Sequence, residues 1–320
     1  MRELTLVDAI QEAIAEEMQQ DEQVFMVGQD IRGSIFPYTK GLVDRFGEDR
    51  IIDTPLAESG MYGMAMGAAM EGYRPIVDFM FAGFAYVTYS EVSVATGQHY
   101  FLHGSQVPMP IVATGATGAG MRLANDHSMA VHGSLFHQPG WKVAMPSTPY
   151  DAKGLFKAAI RDNNPVFIPW HMQLMMERGP VPTEDYIVPL GSADIKREGS
   201  DVTVVANSLQ LKNALDAAER LAGDISVEVL DPRSFEPFDM ETLMASLEKT
   251  NRLVLVDEDW ERGGYISTIS ARVIEQGFDL LDAPIKRVTF PNIPIPGGYI
   301  EPTVIPDAKK IEAAIREVCA

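Results

Sequence analysis

Two α/β domains, each built on a parallel sheet, are predicted for this chain of 320 residues. Apolar runs of strand length alternate with amphipathic helical stretches, which is the pattern of a parallel sheet. A proline-bearing stretch over 173–200 breaks that rhythm once, and a second α/β unit follows it. The length itself accommodates about two domains of roughly 100–200 residues each. The expected boundaries are 1–175 for the first domain, 176–198 for a linker and 199–320 for the second domain.

The first unit opens with a helix over 5–20, where Leu6, Ala9, Ile10, Ala13 and Ile14 recur at helical spacing. Val24 to Val27 is a buried strand ending at Gly28. Ile51-Ile52 is another, closed by Asp53-Thr54-Pro55. Ser59 to Gly72, dense in Gly, Ala and Met, is a tightly packed helix. Strands are expected at Pro75–Met80, Pro110–Thr114, Val143–Met145 and Val166–Trp170. Helices are expected at Ala85–Phe101 and Tyr150–Ile160. In the second unit, strands are expected at Val202–Ala206, Ser226–Leu230, Leu253–Val256 and Ile285–Phe290. Helices are expected at Leu209–Leu221, Met240–Leu247, Gly264–Glu275 and 307–318.

Composition excludes several classes of function. Lys plus Arg number 26 against 45 Asp plus Glu, a net charge of −19. That balance opposes non-specific nucleic-acid binding, which needs a cationic surplus to release counterions, and docking on an anionic membrane. The single cysteine, Cys319, allows neither an internal disulfide nor cysteine-based zinc ligation. No stretch approaches the roughly 20 apolar residues of a membrane span, and the N-terminal residues lack a signal-peptide core. The cytoplasm is the expected compartment.

Few local motifs carry chemistry. There is no P-loop and no Gly-x-Ser-x-Gly elbow. The glycine-rich Gly115 to Gly120, which follows a strand, reads as a turn needing flexible backbone or, as a weaker signal, a phosphate loop. Glu58 follows an apolar strand and a Pro turn, at the entrance of an apolar helix. It reads equally well as a ligand-facing carboxylate at the carboxyl edge of a parallel sheet or as a first-turn charge favoured by the helix dipole. Phe79, Phe81, Phe84 and Tyr86 form an aromatic cluster that by itself reads as core. His127, in the polar run Asn125-Asp126-His127-Ser128, is either an acid/base group or an exposed bystander.

Together these residues match a known pattern. The run Ile52-Asp53-Thr54-Pro55-Leu56-Ala57-Glu58-Ser59-Gly60 and the later Gly67-Ala68-Ala69-Met70-Glu71-Gly72-Tyr73-Arg74-Pro75 closely resemble the beta subunit of the thiamine-diphosphate-dependent 2-oxo acid dehydrogenases. Asp151-Ala152-Lys153-Gly154-Leu155, Ile160 to Pro165, Val229 to Ser234, Asp282-Ala283-Pro284 and Arg287-Val288-Thr289 continue the resemblance over nearly the whole chain. Acetoin dehydrogenase beta subunits share it.

The resemblance implies a transketolase-like pyrimidine-binding domain followed by a transketolase C-terminal domain. It implies an oxidoreductase that decarboxylates a 2-oxo acid, pyruvate or branched-chain, and passes the acyl group to a lipoyl-bearing acyltransferase. Cleavage of acetoin is the alternative. The family's glutamate falls on Glu58, where it pairs with the aminopyrimidine ring nitrogen and promotes the cofactor's carbon nucleophile. The family's ring-stacking aromatic falls on Phe84 and its active-site histidine on His127. A potassium site in relatives maps to Ile111, Ala159, Ile160, Asp162 and Asn164. The Gly-Asp-Gly motif that grips the diphosphate and magnesium in partner subunits is absent here. An alpha subunit is therefore expected to hold that end, in a heterotetramer, and this chain alone is catalytically incomplete. Relatives commonly carry Gln-His-Ser-Gln where this chain has Asp126-His127-Ser128-Met129, which bears on the identity of the acyl donor. A non-catalytic homodimeric binding protein that kept the fold is the rival from another class.

Overall fold

A computed structural model describes all of residues 1–320. The larger sheet has eight strands. Seven run in the order Ser234–Glu236, Lys142–Ala144, Val166–Phe167, Val112–Thr117, Arg74–Phe81, Val24–Gly28 and Ile51–Asp53, and Trp170–His171 pairs with the end of Val112–Thr117. Every pairing is parallel except that of Ser234–Glu236 with Lys142–Ala144. The smaller sheet orders Asp194–Arg197, Val227–Asp231, Val202–Ala206, Leu253–Trp260 and Lys286–Phe290, and only its first strand is antiparallel. Parallel neighbours require crossover connections, and the alternating helices supply them. No helix is long and apolar enough to cross a membrane.

The first helix, Leu6–Gln20, begins where the Thr5 side chain accepts a hydrogen bond from Asp8 N. Its apolar stripe is buried, and its acidic face lies along the helix Pro149–Arg161. Lys153 and Lys157 have fully buried side chains. Lys153 Nζ lies 2.5 Å from Glu12 and 2.8 Å from Glu16, and Lys157 Nζ 2.5 Å from Glu16. Buried ammonium groups are tolerated because each meets carboxylate oxygens.

Three segments depart from the expected elements. Residues 85–101 do not form one helix. They are a 3-10 segment Ala82–Thr88, a π-helical turn Glu91–Thr96 and a short helix His99–Leu102. Trp141 Nε1 donates to Val92 O at 2.8 Å, diverting that carbonyl from a regular ladder. A side chain at Gly97 would meet Trp141 at 2.8 Å and Pro139 O at 2.9 Å, so packing shapes the segment. The strand expected over 166–170 is split, because Pro169 lies between Val166–Phe167 and Trp170–His171.

The stretch 176–198 contains strands. Arg178–Val181 pairs antiparallel with Arg2–Thr5, and Asp194–Arg197 forms an edge of the smaller sheet. Pro180 is tolerated there because a two-stranded ribbon leaves its missing donor on an open edge. Ser234–Glu236, from the second half of the chain, joins the larger sheet. The halves also share apolar packing: Phe79, Leu135 and Val143 are continuous with Phe235, Leu243, Tyr265 and Ile269.

Candidate active site

The carboxyl ends of the central strands of the larger sheet converge on one edge, where open α/β sheets hold ligands. Asp53 ends one strand, and Thr54 N donates to Gly28 O at 2.9 Å across the edge. The chain then enters the helix Glu58–Met70, with Glu58 in its first turn. Glu58 is partly exposed and its side chain makes no capping bond. A carboxylate left without a partner at a helix N-terminus, where peptide dipoles favour negative charge, is available to a ligand.

The strand Arg74–Phe81, on the other side of Val24–Gly28, holds Met80 in the left-handed region just before its end, φ 64°. Its N–H donates to Asp78 Oδ1 at 2.8 Å. That turn sends Phe81 and the segment Ala82–Thr88 along the edge, against the Glu58 helix. Phe81 and Phe84 lie edge to face at 5.8 Å. His127 packs edge-on to both, with ring centroids 4.5 Å from Phe81 and 5.5 Å from Phe84. A side chain at Gly83 would meet Asp126 O at 2.9 Å, so its absence lets the His127 segment close on the aromatics. Phe84 and His127 are thus brought together, on the same sheet edge as Glu58. The aromatic layer continues through Phe36 and Trp170, 5.1 Å apart, to Tyr38.

These residues fit the ring end of thiamine diphosphate. A partnerless carboxylate suits a ring nitrogen, and aromatic side chains suit a flat heterocycle. Glu58, Phe84 and His127 include no lysine or arginine, and the Gly-Asp-Gly motif that grips a diphosphate in partner subunits is absent from the chain.

The residues mapped to potassium are elsewhere. Ile111 precedes Val112–Thr117 and Asp162 to Asn164 precede Val166–Phe167, so they lie at the amino edge of the same parallel sheet. Oxygens of Ile111, Ala159, Ile160 and Asp162 are engaged by the chain's own donors. Ile111 O accepts from Val166 N at 2.9 Å and Ala159 O from Asp162 N at 3.3 Å. Arg74 Nη1 donates to Ile160 O and Asp162 O, both at 2.9 Å. The Asp162 carboxylate meets Lys142 at 2.5 Å and Asn164 Nδ2 at 2.9 Å. Burial would raise its pKa, but these partners outweigh burial and lower it.

Sequence reasoning missed a buried polar network between the domains. Leu253–Trp260 runs past its apolar part into Asp257, Glu258 and Asp259, all buried. His132 Nε2 lies 3.0 Å from Asp257 Oδ2 and His171 Nε2 2.9 Å from Glu258 Oε2. Asn207 Nδ2 donates to Asp257 Oδ1 at 3.2 Å, and Gln210 Nε2 to Glu258 Oε1 at 2.6 Å. Burial disfavours a charged His132, yet Asp257, Asp259 and Glu258 prevail and raise its pKa to about 9. Burial alone would raise Glu258, but His171 and Gln210 hold it below the usual carboxylate range. Three consecutive acidic residues continuing an apolar strand were the available signal. Asp78 was also missed. Burial, though offset by Tyr38 and Met80 N, raises it to about 6. It was the one charge within a run read as a buried strand.

Comparison with known proteins agrees with this architecture. Residues 2–177 match the transketolase pyrimidine-binding domain and residues 191–311 the transketolase C-terminal domain. The chain is 41% identical to the acetoin:2,6-dichlorophenolindophenol oxidoreductase subunit beta of Bacillus subtilis (strain 168), over 99% of this chain and 97% of that protein. It is also 41% identical to the 2-oxoisovalerate dehydrogenase subunit beta of the same organism, over 99% of each. With that organism's pyruvate dehydrogenase E1 component subunit beta it shares 38% identity, again over 99% of each. A solved structure titled split gene transketolase, inactive beta4 tetramer, has the same fold. Its TM-score is 0.82 at 22% identity, covering 99% of this chain and 98% of that one. Both domains match in order, and the relatives align along nearly their full lengths. The chain therefore belongs to the transketolase-like family of beta subunits of the thiamine-diphosphate-dependent 2-oxo acid and acetoin dehydrogenases.

Proposed function

We propose that this chain is the beta half of an alpha-beta dehydrogenase component that decarboxylates a 2-oxo acid and passes the acyl group to a lipoyl group on a partner acyltransferase. The observation that carries the reading is the one-ended site. Glu58 lacks a partner on the same edge as Phe84 and His127, and the chain carries no Gly-Asp-Gly motif for a diphosphate. An alpha subunit supplies the diphosphate and magnesium end, and the active site forms where the two chains meet.

Thiamine diphosphate, when bound, supplies the carbon nucleophile that attacks the substrate carbonyl. The chain's own groups do the rest. Glu58 holds a proton at the ring nitrogen, and Phe84 packs on the ring and keeps water from that face. His127, seated on Phe81 and Phe84, presents its imidazole as hydrogen-bond donor or proton carrier to the substrate and acyl oxygen.

The equal 41% identity to the acetoin and 2-oxoisovalerate relatives supports acetoin cleavage as a second reading. A donor panel decides between them. The chain is co-expressed with its alpha partner and supplied with thiamine diphosphate, magnesium and an artificial electron acceptor. Pyruvate, branched 2-oxo acids and acetoin are then compared. Turnover that requires both chains and prefers a 2-oxo acid supports the first reading, and preference for acetoin the second. A chain that assembles only with itself and turns over none of them returns the reading to a binding protein.

Potassium at Ile111, Ala159, Ile160, Asp162 and Asn164 is part of the same proposal. Lys142 already balances Asp162, so the ion would draw on the remaining lone pairs of neutral carbonyls. The thermal midpoint is expected to be higher in potassium chloride than in choline chloride at equal ionic strength. Equal midpoints remove the ion from the proposal.

A further inference from the structure

The segment between the strand Val112–Thr117 and His127 is fastened to the other domain by three hydrogen bonds. Ala119 N donates to Glu258 Oε2 at 3.3 Å, Arg122 N to Glu301 Oε2 at 2.7 Å, and Ile295 N to Asn125 Oδ1 at 3.0 Å. The segment is strained between those anchors. Arg122 and Ala124, neither a glycine, hold φ of 62° and 64°. Side-chain-bearing residues rarely adopt that region, and they stay there only when their surroundings over-determine it.

The Glu301 contact is the shortest of the three, and its carboxylate is fully buried at the start of a short helical turn. Its second oxygen, Oε1, has no partner. Burying a carboxyl oxygen is unfavourable unless a hydrogen bond compensates, and the Arg122 N–H supplies that bond to Oε2. Arg122 meets the same stretch of chain a second time, because its guanidinium lies over the ring of Tyr299, two residues before that turn, at 5.1 Å. Beyond the strained residues the chain is fixed within its own domain. Gly118 N donates to Ser128 O at 3.2 Å and Thr117 Oγ1 to Met129 O at 3.0 Å. His127 therefore sits between an anchor in its own domain and an anchor in the C-terminal domain.

We propose that Glu301 is a positioning residue for His127, its buried carboxylate holding the strained Arg122–Ala124 turn so that the imidazole seats against Phe81 and Phe84. This rests on the role proposed above for His127. The C-terminal domain then contributes to the reaction by fixing a group carried on the other domain.

The test uses the assembled alpha-beta enzyme with Glu301→Ala, Glu301→Gln, Glu301→Asp and His127→Ala. In Glu301→Ala, amide hydrogen exchange over residues 119–128 accelerates. Turnover falls roughly 10- to 100-fold, since a misplacement of about 1 Å at a reacting group costs up to about 10². Thiamine diphosphate affinity stays at the wild-type value, because Glu58 and Phe84 lie on other elements. Glu301→Gln keeps an oxygen acceptor and restores both protection and turnover to within roughly a factor of three. Glu301→Asp keeps the charge but is one methylene shorter, and it behaves like the alanine variant. It also carries the test if the alanine variant does not assemble. Unchanged exchange and turnover in both Glu301→Ala and Glu301→Asp overturn the proposal. So does a Glu301→Gln variant as impaired as Glu301→Ala, because charge rather than reach would then be the cause. Wild-type turnover in His127→Ala refutes the His127 role instead, and the exchange measurement still judges whether Glu301 holds the turn.

Discussion

Glu58→Gln lowers turnover of the assembled enzyme by roughly 10²–10⁴-fold, the range of a lost proton-transfer group. Glutamine occupies nearly the same volume and forms hydrogen bonds, but it neither carries the negative charge nor takes and returns a proton. The wild-type side chain is partly exposed and makes no capping bond, so its charge adds to the fold only through the helix dipole, a small term at such a site. Assembly with the alpha chain and the thermal midpoint are expected to match wild type. Initial rates with a saturating donor, measured beside the midpoint, check both halves of the expectation. A Gln variant with wild-type turnover would remove Glu58 from the chemistry and restore the plain first-turn reading.

The second large effect is on stability. His132→Ala is expected to destabilise the chain by about 3–5 kcal/mol, the typical cost of removing one partner from a buried ion pair. His132 is 2% exposed and Asp257 is fully buried, so neither is screened by solvent. Without the imidazole, Asp257 retains Asn207 and the Glu258 N–H, while Glu258 and Asp259 still press negative charge on it. Asp259 already has its pKa raised to about 6, by burial first and by Asp257, with His132 opposing. Denaturant titration of both chains at pH 7 measures the difference.

The same pair sets a pH dependence. The folded value of His132, about 9, lies above the roughly 6.5 of an unfolded chain. Its contribution is complete below about pH 6.5 and is lost as pH rises through about 9. Wild type and His132→Ala therefore converge in stability at alkaline pH. A difference that stays constant from pH 6 to 10 would show that the imidazole acts by packing rather than by charge.

The two halves of the site differed in how much the sequence disclosed. Glu58, Phe84 and His127 stand in short runs beside strands, so the chain order alone put Glu58 at the carboxyl edge of the sheet. Their grouping with Phe81 depends on two backbone details, the left-handed Met80 and the bare Gly83, which no apolar pattern announces. The aromatic cluster read as core proved to be both core and wall. Phe79 is fully buried, whereas Phe84 is partly exposed against His127.

By itself the sequence determined the class of fold, the order of the main strands and helices, and the candidate ring-binding residues. The fold class and the element order follow from periodicity, a local property set by side chains a few positions apart, whereas the ring-binding candidates came from the family resemblance. Tertiary structure alone decided the broken segment 82–102, the strand Ser234–Glu236 lent to the larger sheet, and the polar network between domains. His132 meets Asp257 across 125 residues of chain, and Arg122 meets Glu301 across 179. A local reading sees only that such residues are polar. Whether each faces solvent or a buried partner is fixed when the two domains close on one another.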